Sequence, residues 1–384
     1  MSSTGRLTSR KNARLAVAFL LAASGGAIIS AGKVYAANGI RSVSALKSDS
    51  RAHDSVAVTN TTSVPLAGGG QGTTVTLENG TSIQYEIPPS GFNPIAASAS
   101  ALQLYGFPAK PAGGGALTVW NNAMSHWRSA PVPDLSFSST PLMAPPNATT
   151  SQTNNITPNP LSVISNQPWA GFVNDSSVNE FLGSEGEFNV PTVTDTSACN
   201  YPRLGLWTGI GGEQGSFLII QSGIVFNDAG SYHPPSSDWE GFFQYFDFAN
   251  YTGIGVTDLI AKDHKSWTIV PGHEMWSVTT YDPANYTATW FLEDVTNGNS
   301  ATFSYSVPTF YDGTSAEAID EQSGGQHADA SRVNWIYVET QFPHGDWQPL
   351  SSYAQNKYIG LYATPSTLST TDNTSWNVTN DSGC

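Results

Sequence analysis

The chain has 384 residues, 12% of them charged, with a formal net charge of −15. That length holds two ordinary domains or one large β domain with appendages. The acidic balance excludes nucleic acid as a partner, which needs a basic surface, and with so few cations the fold gains little self-repulsion when its carboxylates protonate, so it is compatible with acid.

Residues 1–36 read as an export signal. Arg6, Arg10, Lys11 and Arg14 form a positive start, LAVAFLLAASGGAIISA is the apolar stretch, and VYA ending at Ala36 satisfies the small-residue rule before a cleavage point. Glycines and serines dilute the apolar run and no second span follows, so no membrane anchor is expected and the protein is read as secreted and extracellular. Five of the 15 basic residues and none of the 30 acidic ones lie in this segment, which leaves 10 − 30 = −20 for the rest.

Residues 37–128 carry the strand pair GTTVTLENGTSIQYEI, turning at Asn79-Gly80, and two helical stretches, ASASALQLYGF and ALTVWNNAMSHW. A small mixed α/β unit is expected there. Residues 129–165 are crowded with Pro, Ser, Thr and Asn without an apolar period, the composition of an exposed linker open to proteolysis.

From residue 166 to 384 short β-rich runs recur between turn residues: WAGFV, EFNV, LGLWTGI, FLIIQSGIVF, EGFFQYFDF, SWTIV, EMWSVTTY, YTATWFLEDV, ATFSYSV, VNWIYVETQF and YIGLYA. Their spacing predicts an all-β domain, a two-sheet antiparallel sandwich. Cys199 and Cys384 allow one disulfide or two free thiols.

The usual hydrolytic signatures fail. GHEMWS (Gly272–Ser277) starts like a zinc-protease helix, but Ser277 stands where a second histidine belongs, and no G-x-S-x-G occurs. No metal or cofactor is expected. What remains are polar groups inside apolar strands. In FLIIQSG, alternation puts Ile219 and Gln221 on one face; in NWIYVET it aligns Trp335, Tyr337 and Glu339. A carboxylate there needs water or hydrogen bonds, because burying it alone is costly. On residue type alone, Glu339 sits on the wet face of an edge strand and Gln221 caps a neighbouring backbone group.

Several stretches together carry more: NQPWAGFV from Asn166, EGEFNVPTV from Glu185, LWTGIGG from Leu206, IIQSG from Ile219, IVPGHEMWSVTTY from Ile269, ATWFLEDVTNGNS from Ala288 and NWIYVE from Asn334. In this order they resemble the glutamic peptidases of the eqolisin, or G1, family, and ENGTSIQYEIPPSGFNP and LYGFPAKP resemble the propeptides of its exported members. The resemblance implies a concanavalin A-like β-sandwich that works in acid without metal or cofactor. It implies Glu339 as general base and acid, Gln221 as oxyanion donor, Trp207 lining the cleft, and Phe243, Gln244, Tyr245 and Phe246 forming subsites. Gln244 stands where the family has a glutamate. Between Trp335 and Glu339 the strand is one residue longer than the family pattern, so either a β-bulge absorbs the extra residue or the register slips and turns the carboxylate to the other face.

The expectation is therefore a secreted acid endopeptidase, a monomer made as a zymogen, acting on proteins and peptides, with its own propeptide blocking the cleft until acid titrates carboxylates at their interface. Two rivals stand beside it. One is a non-catalytic concanavalin-like carbohydrate-binding or adhesion module. The other is a glycoside hydrolase, which needs two carboxylates facing one cleft about 5 to 9.5 Å apart, where the sequence offers one well-placed acid, Glu339.

Overall fold

The computed structural model describes residues 56–380 except 133–134, 139–161, 168, 176–180, 196–202, 213–217, 228–238, 248–251, 258–267, 308–310, 312, 322–328, 344, 353–354, 361–362, 367–368 and 370–373. The export signal, Cys199 and Cys384 lie outside the described residues. All described residues fall in one compact unit, Ser48–Cys384.

In chain order the N-terminal elements are β1 (Val58–Pro65), β2 (Gln71–Leu77), β3 (Ser82–Ile87), α1 (Ala99–Leu104), α2 (Gly114–His126) and β4 (Ser136–Ser138). Next come β5 (Ser162–Gln167), β6 (Trp169–Asp175), β7 (Gly183–Asn189), β8 (Val193–Asp195), β9 (Arg203–Gly211), β10 (Leu218–Asn227), β11 (Trp239–Asp247) and β12 (Thr252–Thr257). The rest are β13 (Glu274–Asp282), β14 (Thr287–Asp294), β15 (Asn299–Ser306), β16 (Ser315–Glu321), β17 (Asp329–Ala330), β18 (Val333–Gln341), β19 (Trp347–Pro349), β20 (Gln355–Gly360), β21 (Ala363–Pro365) and β22 (Trp376–Asn380).

Two large sheets form a sandwich. The front sheet runs β4-β12-β11-β10-β9-β16-β6-β20-β5, and the back sheet runs β1-β2-β3-β15-β14-β13-β7-β18-β22-β21 with β19 beside β18. Pairing is antiparallel throughout the core of each sheet, and β5 joins β20 in parallel. The all-β antiparallel sandwich expected from strand spacing is the observed architecture.

Alternation assigns the faces. On β10, Ile220, Ile224 and Phe226 enter the core between the sheets, while Ile219 and Val225 lie on the outer face of the front sheet. Across the core, Phe243 stacks on Trp290 with ring centroids 4.6 Å apart, and Ser222 Oγ meets Ser277 Oγ of the back sheet at 2.7 Å. These strands read as continuous apolar runs because both faces are covered. Each fully buried Phe or Leu contributes about 1.5–3 kcal/mol.

The N-terminal unit does not stand apart. Its hairpin turns at Gly80, whose φ of 84° suits glycine, and β3 continues the back sheet by pairing Tyr85 with Phe303 of β15. Ser98 caps α1 by accepting from the Ala101 amide at 3.2 Å. From α2 and its end, Trp120, Ala123, Met124 and Trp127 pack on Trp276, Val278, Phe291 and Tyr337, on the outer face of the back sheet. The stretch expected as a linker also takes part: β4 pairs with β12 and buries Phe137, and β5 joins the front sheet. Its polar composition concealed those two short pairings.

Candidate active site

Three adjacent strands, β10, β9 and β16, build the centre of the outer front face. Gln221 pairs with Gly209, and Gly209 pairs in turn with Glu317. Two strand spacings thus separate Gln221 from Glu317, roughly 9–10 Å of backbone, and the residue between them has no side chain. That vacancy is used. A Cβ on Gly209 would stand 2.9 Å from Cζ3 of Trp207 and 3.0 Å from Cβ of Gln221, so the indole lies over the glycine beside the glutamine.

The other end of that indole holds an acid. Trp207 Nε1 donates to Oε2 of Glu321 at 2.9 Å, both groups being buried. Ile319 pairs with Trp207 and belongs to the outer apolar cluster, while Ala316 and Ala318 face the core, so Glu317, Ile319 and Glu321 share the outer face with Gln221 and Trp207. Trp169 meets Trp207 edge-on at 5.0 Å.

Gln221 is 0% exposed and neither its Nε2 nor its Oε1 has a hydrogen-bond partner. It does not cap a backbone group. A buried amide left unpartnered costs about 1–3 kcal/mol for each group, and such an exception in a folded protein calls for a reason.

The structure does not bring Glu339 to this place. A register shift between Trp335 and Tyr337 makes a bulge at Ile336, so Trp335 stays in the core, stacked on Trp376 at 5.2 Å, while Tyr337 turns to the outer face of the back sheet. Val338 faces the core, and Glu339 therefore points outward with Tyr337. Gln221 and Glu339 lie on opposite outer faces, with the packed core between them. The extra residue in W-I-Y-V-E is absorbed by a bulge, and the alternation that aligned Trp335 with Glu339 fails there.

The subsite residues divide similarly. Gln244 pairs with Gln221 across β10 and β11. Phe243 and Tyr245 face the core instead, against Trp290 and Tyr305, because alternation around Gln244 turns them inward. Trp207 lies beside Gln221 on the same outer face. Sequence reasoning missed Glu321: alternation in SAEAIDE places Glu317, Ile319 and Glu321 on one face, but three acids in seven residues read as a solvated strand.

Glu339 has a different neighbourhood. It stands directly opposite Glu185, and Tyr337 opposite Glu187, while Glu293 and Trp276 continue the same outer face. Glu185 and Glu339 are 2% and 4% exposed. Burial pushes Glu185 well above the carboxylate range, and the charge of Glu339 adds to the rise. Burial also raises Glu339, offset in part by the nearby Tyr337 hydroxyl. Glu187 is pushed up to about 9 by burial first and then by Glu274, and Glu293 is raised by burial, Asp294 and Glu187. A second acid opposite Glu339, not foreseen in the sequence, is thus present. Among the described residues no group of His, Cys, Asp or Glu is arranged to hold a metal ion.

No protein-family model matches the chain, and no curated protein does. Among solved structures it is similar to Scytalido-glutamic peptidase with a peptide based transition state analog, at 16% identity and a TM-score of 0.42, covering 55% of this chain and 97% of that one. It is similar also to SCP-B, a member of the Eqolisin family of peptidases in complex with the tripeptide Ala-Ile-His, at 16% identity and 0.40, with 55% and 97% covered. A third is aspergilloglutamic peptidase from Aspergillus niger, at 19% identity and 0.34, covering 47% of this chain and 99% of that chain.

Proposed function

We propose that the chain is a secreted acid endopeptidase of glutamic type, made latent, in which Gln221 and Glu321 act on one peptide bond. The observation that carries this reading is the wholly buried, unpartnered amide of Gln221 on the sheet face that also holds Glu321. The collinear motifs from Asn166 onward support the same reading, and the apolar, glycine-diluted N-terminal stretch supports export.

The chemistry follows from the groups. Water attacks the scissile carbonyl as the Glu321 carboxylate takes its proton, so the new C–O bond forms while negative charge gathers on the carbonyl oxygen. The Gln221 NH₂ donates to that oxyanion without carrying a charge of its own. Collapse breaks the C–N bond, and Glu321 returns the proton to the departing nitrogen. Trp207 fixes the carboxylate through its indole donor. A Glu base, with an ordinary pKa near ~4.3, suits an acidic medium. Gln221 and Glu321 are both buried in the full chain, so a substrate reaches them only once that face opens.

The test is digestion of a denatured protein at about pH 3–4, where a glutamate starts to ionise, using the acid-incubated full chain and its Gln221→Ala, Glu321→Gln, Glu317→Gln and Glu339→Gln variants. Loss is expected in the first two and retention in Glu339→Gln. Full activity in Glu321→Gln with loss in Glu317→Gln would transfer the base to Glu317; full activity in Gln221→Ala would end the reading.

A glycoside hydrolase remains as a second reading because Glu185 faces Glu339 directly. That pair is buried under the helical layer, and hydrolysis of a polysaccharide that survives Gln221→Ala and is lost in Glu185→Gln would favour it.

A further inference from the structure

The outer face of the back sheet combines two things that rarely coexist: the main apolar seat of the N-terminal helices and a group of buried carboxyls. The seat is built by Trp276, Val278, Phe291 and Tyr337 against Leu102, Trp120, Ala123 and Met124. Within it β7 supplies Glu185 and Glu187, β14 supplies Glu293, and β18 supplies Glu339 and the Tyr337 hydroxyl, with the half-buried Glu274 of β13 at the margin. From α2 the polar contribution is Asn122, whose Nδ2 donates to Glu187 Oε1 at 3.4 Å and to Glu274 Oε1 at 3.2 Å.

No cation answers these acids among the described residues. On the covering segment Lys110 lies over the Trp120 ring at 5.1 Å, His126 turns Nδ1 back to the Asn122 carbonyl at 2.8 Å, and the Arg128 amide donates to Gly298. Glu185 Oε1, Glu339 Oε2 and both Glu293 oxygens are buried without a hydrogen-bond partner. One amide donor cannot compensate the four buried carboxylates of Glu185, Glu187, Glu293 and Glu339 in a dry interface, so they are tolerable there chiefly as neutral acids.

We propose that this face is a proton-linked seat for the α1–α2 segment, which is fastened in acid and loosened as the medium approaches neutrality. Seated helices strip water from the acids and keep their protons on; unseated, the acids meet water and release them. By linkage, protons taken up on seating make seating weaker as pH rises. Glu185, Glu187, Glu293 and Glu339 all have raised values in the seated state, so their contribution is complete below about 4.5, where the free acids protonate, and is lost as pH climbs, for Glu187 through about 9. This reverses the direction expected from sequence, in which acid would release the segment. It stands independently of the peptidase reading, since Gln221 and Glu321 lie on the opposite face.

The test is hydrogen exchange of the full chain at pH 4 and pH 8, corrected for the intrinsic rate, following α2 and, as internal reference, β10. In the wild type α2 should open at least about ten-fold more readily at pH 8, since one pKa unit is a factor of ten per group, while β10 remains protected. The Glu185→Gln/Glu339→Gln double variant should reduce that difference below about three-fold, and Asn122→Asp, which adds a further carboxylate to the face, should enlarge it. If the double variant loses its near-ultraviolet dichroism, Glu187→Gln is read instead, with the same reduction expected. Equal α2 protection at both pH values, a double variant or Glu187→Gln with the full wild-type difference, or loss of β10 protection together with α2 would each overturn the proposal.

Discussion

One indole serves two sites: Trp207 donates to Glu321 Oε2 at 2.9 Å, while its six-membered ring lies over Gly209 against Gln221. Trp207→Phe keeps an aromatic body and deletes the donor. A hydrogen bond to a charged group contributes about 1.5–3 kcal/mol, so kcat/KM should fall about ten- to a hundred-fold. A carboxylate deprived of a donor holds its proton more tightly, and the acidic limb of the kcat/KM profile should move to higher pH. An unmoved limb would remove Glu321 from the base role.

Gln221 should show opposite effects on stability and rate. Gln221→Met replaces two unpartnered buried polar atoms with apolar ones of similar volume. Such an exchange is neutral or stabilising, whereas loss of an oxyanion donor costs about 10²–10³ in kcat. Urea midpoints and turnover measured on the same preparations check both halves, and a clear drop in midpoint would indicate that the amide is structural.

Gly209→Ala asks for room that is already taken, with Trp207 at 2.9 Å, Gln221 Cβ at 3.0 Å and the Ile220 carbonyl oxygen at 3.1 Å from the new methyl. Overpacking of this kind costs about 1–3 kcal/mol. Activity should fall further than stability alone accounts for, because the displaced groups are Trp207 and Gln221. Thermal midpoint and kcat, compared at a temperature where the variant is fully folded, separate the two.

Asp320 faces the core beside Asn380, and burial pushes it up to about 8. Its contribution is therefore intact below the ordinary aspartate range and declines as pH rises toward 8, by up to about 1.4 kcal/mol per pH unit. Asp320→Asn should match the wild type in thermal midpoint near pH 3 and exceed it near pH 7. Equal midpoints at both pH values would show that the carboxyl is better solvated than its burial implies.

How far the sequence reveals this molecule depends on which rule each residue obeys. The sandwich, the Asn79-Gly80 turn and both helices were legible because alternation, turn chemistry and helical spacing act locally. The face of Gln221 was legible for the same reason, being carried by Ile219 and Val225. Glu339 was misplaced because one bulged residue, Ile336, inverts every face after it, and nothing local marks whether a strand absorbs an extra residue or shifts. Glu321 was hidden by its plain surroundings. SAEAIDE has no aromatic to draw attention, and its meaning comes from lying next to Trp207, a contact between residues far apart in the chain. The pairings of β4 and β5 escaped because two short strands borrow their order from partners elsewhere.

The pairing of Tyr85 with Phe303 has a further implication for any form of the protein lacking its N-terminal hairpin. Cutting that hairpin away would strip β15 of its neighbour along Phe303, Ser304 and Tyr305, leaving a raw border of amide and carbonyl groups flanked by two aromatic rings. A trimmed molecule would then carry a natural template for recruiting a stray strand from solution, and its solubility would depend on how quickly that border is covered again.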